Sequence, residues 1–191
     1  MTVADAPTTS GEADPGARFS AQVVSEVGKI SKLELSDRVL ERVRHAVLDW
    51  LGVTIAGNQQ ESARITRAVL VAEGGQAAAR VLGTSDRLTA RQAALAVGIA
   101  GHALDYDDAG PGGHPSVAVL PAVFAVAEEI GADGRTSVEA MLYGYETMSI
   151  VAAACGDESV RRGFHGTGTF GAFGAAMGVG RLLMLDAERL Q

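Results

Sequence analysis

The chain has 191 residues, 47% of them hydrophobic and 20% charged, and carries a net charge of −7. That length and apolar content suffice for a globular domain with a sizeable core, while the acidic balance argues against nucleic acid and anionic membrane surfaces as partners. Fourteen arginines stand against two lysines, Lys29 and Lys32, both near the start, so a catalytic lysine deeper in the fold has no candidate.

In chain order, "MTVADAPTTSGEADPGAR" places three acids before its first arginine and holds no apolar run. It fits neither a secretory signal nor a transit peptide, and it predicts a disordered tail over residues 1–18 of a cytoplasmic protein. Beyond it the periodicity is helical. Ser36 can cap a helix in which Val39, Val43, Val47 and Leu51 share one face, ending at Gly52 or Gly57. A weaker helical pattern covers Ala63–Gly74, and "ARVLGTSDRL" predicts a short extended segment with a Thr-Ser-Asp turn. Thr89 caps a helix of mostly Ala and Gly. Residues 116–130 form another, with Pro121 required to sit in its first turns or to kink it. Helices over Ser137–Ala154 and Thr167–Leu185 complete the set. Cys155, the only cysteine, excludes an internal disulfide and a thiolate metal cluster, and its Ala-rich setting predicts a small core residue. The fold class that follows is all-α, an Ala/Gly-rich helical bundle without a membrane span, because no clean apolar run of about 20 residues exists.

Within "GFHGTGTFGAFGAAMGVGRLL", residues 163–183, Gly166, Gly168 and Gly171 match the letters of a dinucleotide-binding loop. The physical context of such a loop is a hydrophobic strand before the first glycine and a second strand ending in an acid about 20 residues later. The approach here, "GDESVRRGFH", is polar and charged, and the segment up to Asp186 leaves no room for a strand. The glycines are therefore expected to let the start of the last helix pack closely on its neighbours.

The densest group of ionisable side chains lies in "HALDYDDAGPGGHPSVAVLPA", residues 102–122. As a calcium loop it places Asp105, Asp107 and Gly110 correctly but ends on Ser116 where a bidentate Glu belongs. As a transition-metal site it lacks an H-x-x-x-H pair, and no metal is expected. An aspartate-rich carbocation site would need aromatic walls, which a chain with 5% aromatic residues does not supply. Acid–base work on a small molecule remains, with a loop histidine beside carboxylates. From the residues alone, Asp107 and Asp108 read equally as part of such a site or as mere helix caps and surface partners of arginine.

From about residue 36 onward the chain resembles the MmgE/PrpD family, the group of 2-methylcitrate dehydratase, cis-aconitate decarboxylase and an iminodisuccinate epimerase. The likeness rests on "VRHAVLDWLGVTIAG", "ARQAALAVGIAGHALDYDD", "HPSVAVLPAVFAVAE", "GYE" at 144–146 and "GFHGTGTFGAFGAAMGVGRLLMLDAERL", in that order and spacing. The resemblance implies a helical domain paired with a smaller α+β lid domain, with a cofactor-free active site between them. It assigns catalysis to Asp105, His114 and His165, and substrate binding to Asp108, Ser116 and Thr167. Two departures stand out. The loop between Asp108 and His114 looks about one residue short, with Ala109 where the family has Thr or Ser. His165 is followed by Gly166-Thr167 where the family usually has Pro-Thr. Family members are also more than twice as long, so the resemblance implies a lyase for small polycarboxylic acids that lacks its lid and downstream lysines here. Such a chain is expected to be inactive alone. It would be a remnant or a subunit needing a lid-bearing partner, or would work as a homo-oligomer; epimerisation of a dicarboxylic acid is the other chemistry implied.

Overall fold

The computed structural model describes residues 14–191. In chain order it contains α1 (Pro15–Gly28), a 3₁₀ turn (Lys29–Lys32), α2 (Asp37–Gly57), α3 (Glu61–Glu73), the strands β1 (Ala79–Arg80) and β2 (Arg87–Leu88), α4 (Ala90–His102), α5 (Pro115–Ile130), α6 (Gly134–Cys155), α7 (Glu158–Arg161), α8 (Gly166–Leu182) and α9 (Ala187–Leu190). The all-α expectation holds: the only sheet among the described residues is the two-stranded antiparallel hairpin of β1 and β2. The tail expected over residues 1–18 lies outside the described residues up to position 13. From Asp14 onward the chain is α1, whose first turn Asp14 caps by accepting the Ala17 amide at 3.1 Å.

Capping chemistry sets most helix starts. Ser36 accepts from Val39 to open α2, and Asp133 accepts from Thr136 at 2.7 Å to open α6. Thr89 and Gln92 form a reciprocal capping box on α4. The Gln92 amide also donates to Gly74 O at 3.2 Å and so ties the end of α3 to the start of α4. On α2, Val43 is buried in the main core, with Val39, Val47 and Leu51 partly buried against it, as the helical spacing requires. The helix runs through Gly52 and stops at Gly57. Around Pro121 α5 continues unbroken, with the proline buried inside the helix.

The layers are stacked α2 and α3 on α4, α4 on α5, and α5 and α6 on α8. Small residues decide how close the last of these come. A Cβ on Gly174 would lie 2.7 Å from Gly144 O, and one on Gly144 would lie 2.8 Å from Gly174 O, so α6 and α8 cross backbone against backbone. Next to this crossing the nearly buried Glu139 of α6 accepts from Arg181 of α8 at 2.6 Å and meets Arg135 at 3.2 Å.

Two expectations need correction. Cys155 is exposed rather than a core residue, because it is the last residue of α6, where residues 153–155 are all open to solvent. The last helix does not run on to Leu185. It ends at Leu182, Met184 takes a left-handed φ of 52°, and the Leu185 amide closes back onto Gly180 O at 3.0 Å. Asp186 then caps the short α9.

Candidate active site

The site forms where three helix ends meet: the C-terminus of α4 and the N-termini of α5 and α8. His102 is the last residue of α4, and His114 and His165 are the N-cap residues of α5 and α8. The ring centroid of His102 lies 4.8 Å from that of His114 and 6.2 Å from that of His165. His114 and His165 line one cavity of about 450 Å³, together with Thr167, Phe170, Val160 and Asp157. Among the described residues, no Arg or Lys lines it.

The turn out of α4 aims the carboxylates. Asp105 adopts a left-handed φ of 54°, rare outside glycine, and its amide donates to His102 O at 3.1 Å. Its side chain is exposed, with Oδ1 3.7 Å from His114 Nε2. Two residues on, the Asp107 side chain is fully enclosed. Its Oδ1 lies 3.0 Å from His102 Nδ1 and its Oδ2 lies 3.1 Å from His114 Nδ1. The second contact is off the line of a hydrogen bond, and neither Oδ2 nor His114 Nδ1 has another partner. Among the described residues, these same four, His102, Asp105, Asp107 and His114, form a cluster with metal-ligating chemistry whose ligand atoms lie within 4.8 Å of one another.

The 110–113 loop closes on itself through Gly110 and Gly113, whose amides each donate to the other's carbonyl at 2.8 and 3.1 Å. Gly113 has a φ of 121°, and a Cβ there would collide with Thr167. The His114 amide donates to Thr167 Oγ1 at 3.0 Å, which joins the start of α5 to the start of α8. At α8 itself the Gly168 amide donates to His165 Nδ1 at 3.4 Å. That bond uses the Nδ1 lone pair, so the neutral ring carries its proton on Nε2. The Gly-x-Gly-x-x-Gly stretch does not follow a strand; α7 and a turn precede it. A Cβ on Gly166 would come within 2.5 Å of Gly112 O, and one on Gly171 would run into Ala118, so these two glycines serve close packing.

Asp108 and Ser116 are paired with each other instead of lining the cavity. The Ser116 amide donates to Asp108 Oδ1 at 3.1 Å and its hydroxyl donates to Oδ2 at 2.7 Å. The Tyr145 hydroxyl bonds Ser116 Oγ in turn. Asp108 thus caps the first turn of α5, one of the two readings its sequence position left open. Burial pushes the Asp108 carboxyl above the ordinary carboxylate range, against the lowering effect of the Ser116 bonds. Burial likewise pushes the Tyr145 hydroxyl up, which keeps it protonated and donating. Since the folded chain holds the Asp108 proton more tightly than the unfolded chain does, this group's contribution to stability is full at acid pH. It falls as pH rises from the ordinary carboxylate range through the raised folded value. Asp108→Asn, which can still accept from the Ser116 amide, should therefore flatten the dependence of melting temperature on pH over that interval. Thermal unfolding by circular dichroism across a pH series reads it; an unchanged slope would refute the assignment.

His102 is absent from the residues that the sequence singles out, and Asp107 appears there as a calcium-loop position and as a helix cap or surface partner of arginine, without an assigned role in the site. The signal that would have found the pair is the five-residue step from the end of a helix to an acid in "HALDYD". A tight turn folds that step back under the helix terminus.

Together these features define a helical domain built around a carboxylate–imidazole site. The chain belongs to the MmgE/PrpD family: the family's N-terminal domain matches residues 22–191. It is similar to cis-aconitate decarboxylase of Homo sapiens, 30% identical over 162 residues that cover 81% of this chain and 34% of that protein. Similarity to cis-aconitate decarboxylase of Aspergillus terreus is 25% over 198 residues, covering 96% of this chain and 39% of that protein. The chain thus spans well under half the length of these relatives. Among the described residues no helix is long and apolar enough to cross a membrane.

Proposed function

We propose that this domain supplies the acid/base groups of a lyase that dehydrates or decarboxylates a small polycarboxylic acid, with its own side chains and no cofactor doing the proton transfer. The observation that carries the reading is that His114 and His165, each capping a helix, line one cavity. His165, with its Nδ1 occupied by the Gly168 amide, donates from Nε2. His114 exchanges a proton at the carbon or hydroxyl next to a substrate carboxylate, and Asp105 orients it from 3.7 Å. The N-terminus of α8 and the Thr167 hydroxyl offer an anion-favouring wall for one carboxylate. For Asp108 and Ser116 the geometry favours holding the start of α5 over touching substrate. Two imidazoles on one cavity also suit removal of a proton from one face of a carbon and its return on the other, which is the epimerase form of the same chemistry.

A polycarboxylate needs more cationic partners than this cavity has, since a buried anion without a counter-charge is costly. We therefore propose that the binding cations and the water-excluding cover come from a lid-bearing segment or partner chain. Large apolar side chains stand exposed on α2, α3 and α8, among them Leu48, Ile55, Ile65 and Phe173, and such surface favours association. The test follows cis-aconitate and 2-methylcitrate by NMR, with this chain alone and with the chain fused to the part of the Aspergillus terreus relative that it does not align with. The expected result is no turnover alone, light scattering above the monomer mass, and turnover of one substrate in the fusion. Enzyme-like turnover by the lone monomer would sink the partner requirement, and an inactive but folded fusion would sink the lyase reading.

A further inference from the structure

Asp107 has no part in the chemistry just proposed, yet it is the fully enclosed carboxylate of the site. A carboxylate taken out of water needs hydrogen-bond donors on both oxygens, or it carries the cost of an unsatisfied buried charge. Within reach of Oδ1 stands His102 Nδ1 at 3.0 Å, and within reach of Oδ2 stands His114 Nδ1 at 3.1 Å. Oδ2 and His114 Nδ1 are both buried and have no other partner. Each is the complement the other lacks, and a small rotation of the imidazole aligns them; catalytic hydrogen bonds commonly tighten in this way when substrate binds.

We infer that Asp107 is the positioning residue of this site. It accepts from Nδ1–H of both His102 and His114, and so fixes His114 in the tautomer whose Nε2 faces Asp105 and exchanges the proton. His102 anchors Asp107 from the other side, at the end of α4, so the carboxylate cannot turn away from His114. The inference rests on the reading of His114 as an acid/base group. It adds to that reading which nitrogen acts and what selects it.

The experiment is long-range proton–nitrogen NMR of the four histidines in the full ¹⁵N-labelled chain, without substrate, at a pH alkaline enough to leave every imidazole neutral. The expected pattern is Nδ1–H for His102 and His114 and Nε2–H for His165, whose Nδ1 accepts from Gly168. In Asp107→Asn, the amide offers one acceptor and one donor where the carboxylate offered two acceptors. One of His102 and His114 should therefore invert to Nε2–H, while His165 keeps its pattern and reports that the fold is intact. A wild-type His114 carrying its proton on Nε2 would overturn the inference whether or not the variant folds. So would a folded Asp107→Asn with both tautomers unchanged. Resonances of His102 and His114 that move on treatment with a chelator would make these atoms metal ligands instead, and would overturn it as well. Because no substrate is present, failure of the lyase chemistry and failure of this assignment appear in separate measurements.

Discussion

Gly57→Ala should lower the melting temperature by about 6–12 °C, a cost of about 3 kcal/mol for one added methyl group. The reason lies at the crossing of α2 and α4. A Cβ at Gly57 would collide with the carbonyl oxygen of Ala100, a fully buried residue of α4. A carbonyl in the last turn of a helix, here also accepting the Ala103 amide, cannot turn aside as a side-chain tip can, so one helix must shift, and the same crossing holds Trp50, which is 0% exposed. Gly52, in the same helix, is the control. Nothing lies within 4 Å of a Cβ there, so Gly52→Ala should stabilise the chain by about 0.5–1 kcal/mol through helix propensity alone. Thermal unfolding of both variants decides the matter. If Gly57→Ala melts with or above the wild type, the helix crossing described here is wrong.

In the active fusion described above, His114→Gln should cut kcat by about 10²–10⁴-fold. Glutamine has similar reach and keeps the backbone amide that donates to Thr167, so the start of α5 is retained while the titrating ring is lost. His45, exposed on α2, provides the comparison: His45→Gln should leave kcat within a factor of about two, since it removes no group positioned for proton transfer. Equal turnover by the two variants would remove His114 from the chemistry. A KM change alone would reduce it to a contact.

Much of this domain is legible before any coordinates, because its helices announce themselves in local chemistry. Ser36 and Thr89 each cap through their own side chains, and a cap is readable from one residue and its neighbours; the Asp133 cap, which opens α6 three residues before the expected Ser137, went unread. What escaped depends on what packs where. The exposure of Cys155 follows from its place at the open end of α6. The break after Leu182 follows from the left-handed turn at Met184 and the closing bond from Leu185, neither of which an apolar periodicity records. In the site, His114 and His165 were visible through resemblance, and the structure brings them to one cavity. The His102–Asp107 contact went unread, since it joins a helix terminus to a turn that doubles back, and only the five-residue step in "HALDYD" marks which acid turns inward. Asp108 shows the converse. An acid two residues before a Gly/Pro loop looks available to substrate, yet both of its oxygens are taken by Ser116.

The bond from the His114 amide to Thr167 Oγ1 and the glycine contacts of α8 with the 110–113 loop and α5 make the two histidine-bearing helix starts a jaw of fixed gauge. Neither helix start can be brought nearer to the other without dragging a whole packed helix along. A molecule of different size is therefore accommodated by whatever closes over the jaw and never by the jaw itself. Over evolutionary time, changes of substrate within such a scaffold should accumulate outside α5 and α8, while the span between the two helix starts stays as a ruler against which every new substrate is measured.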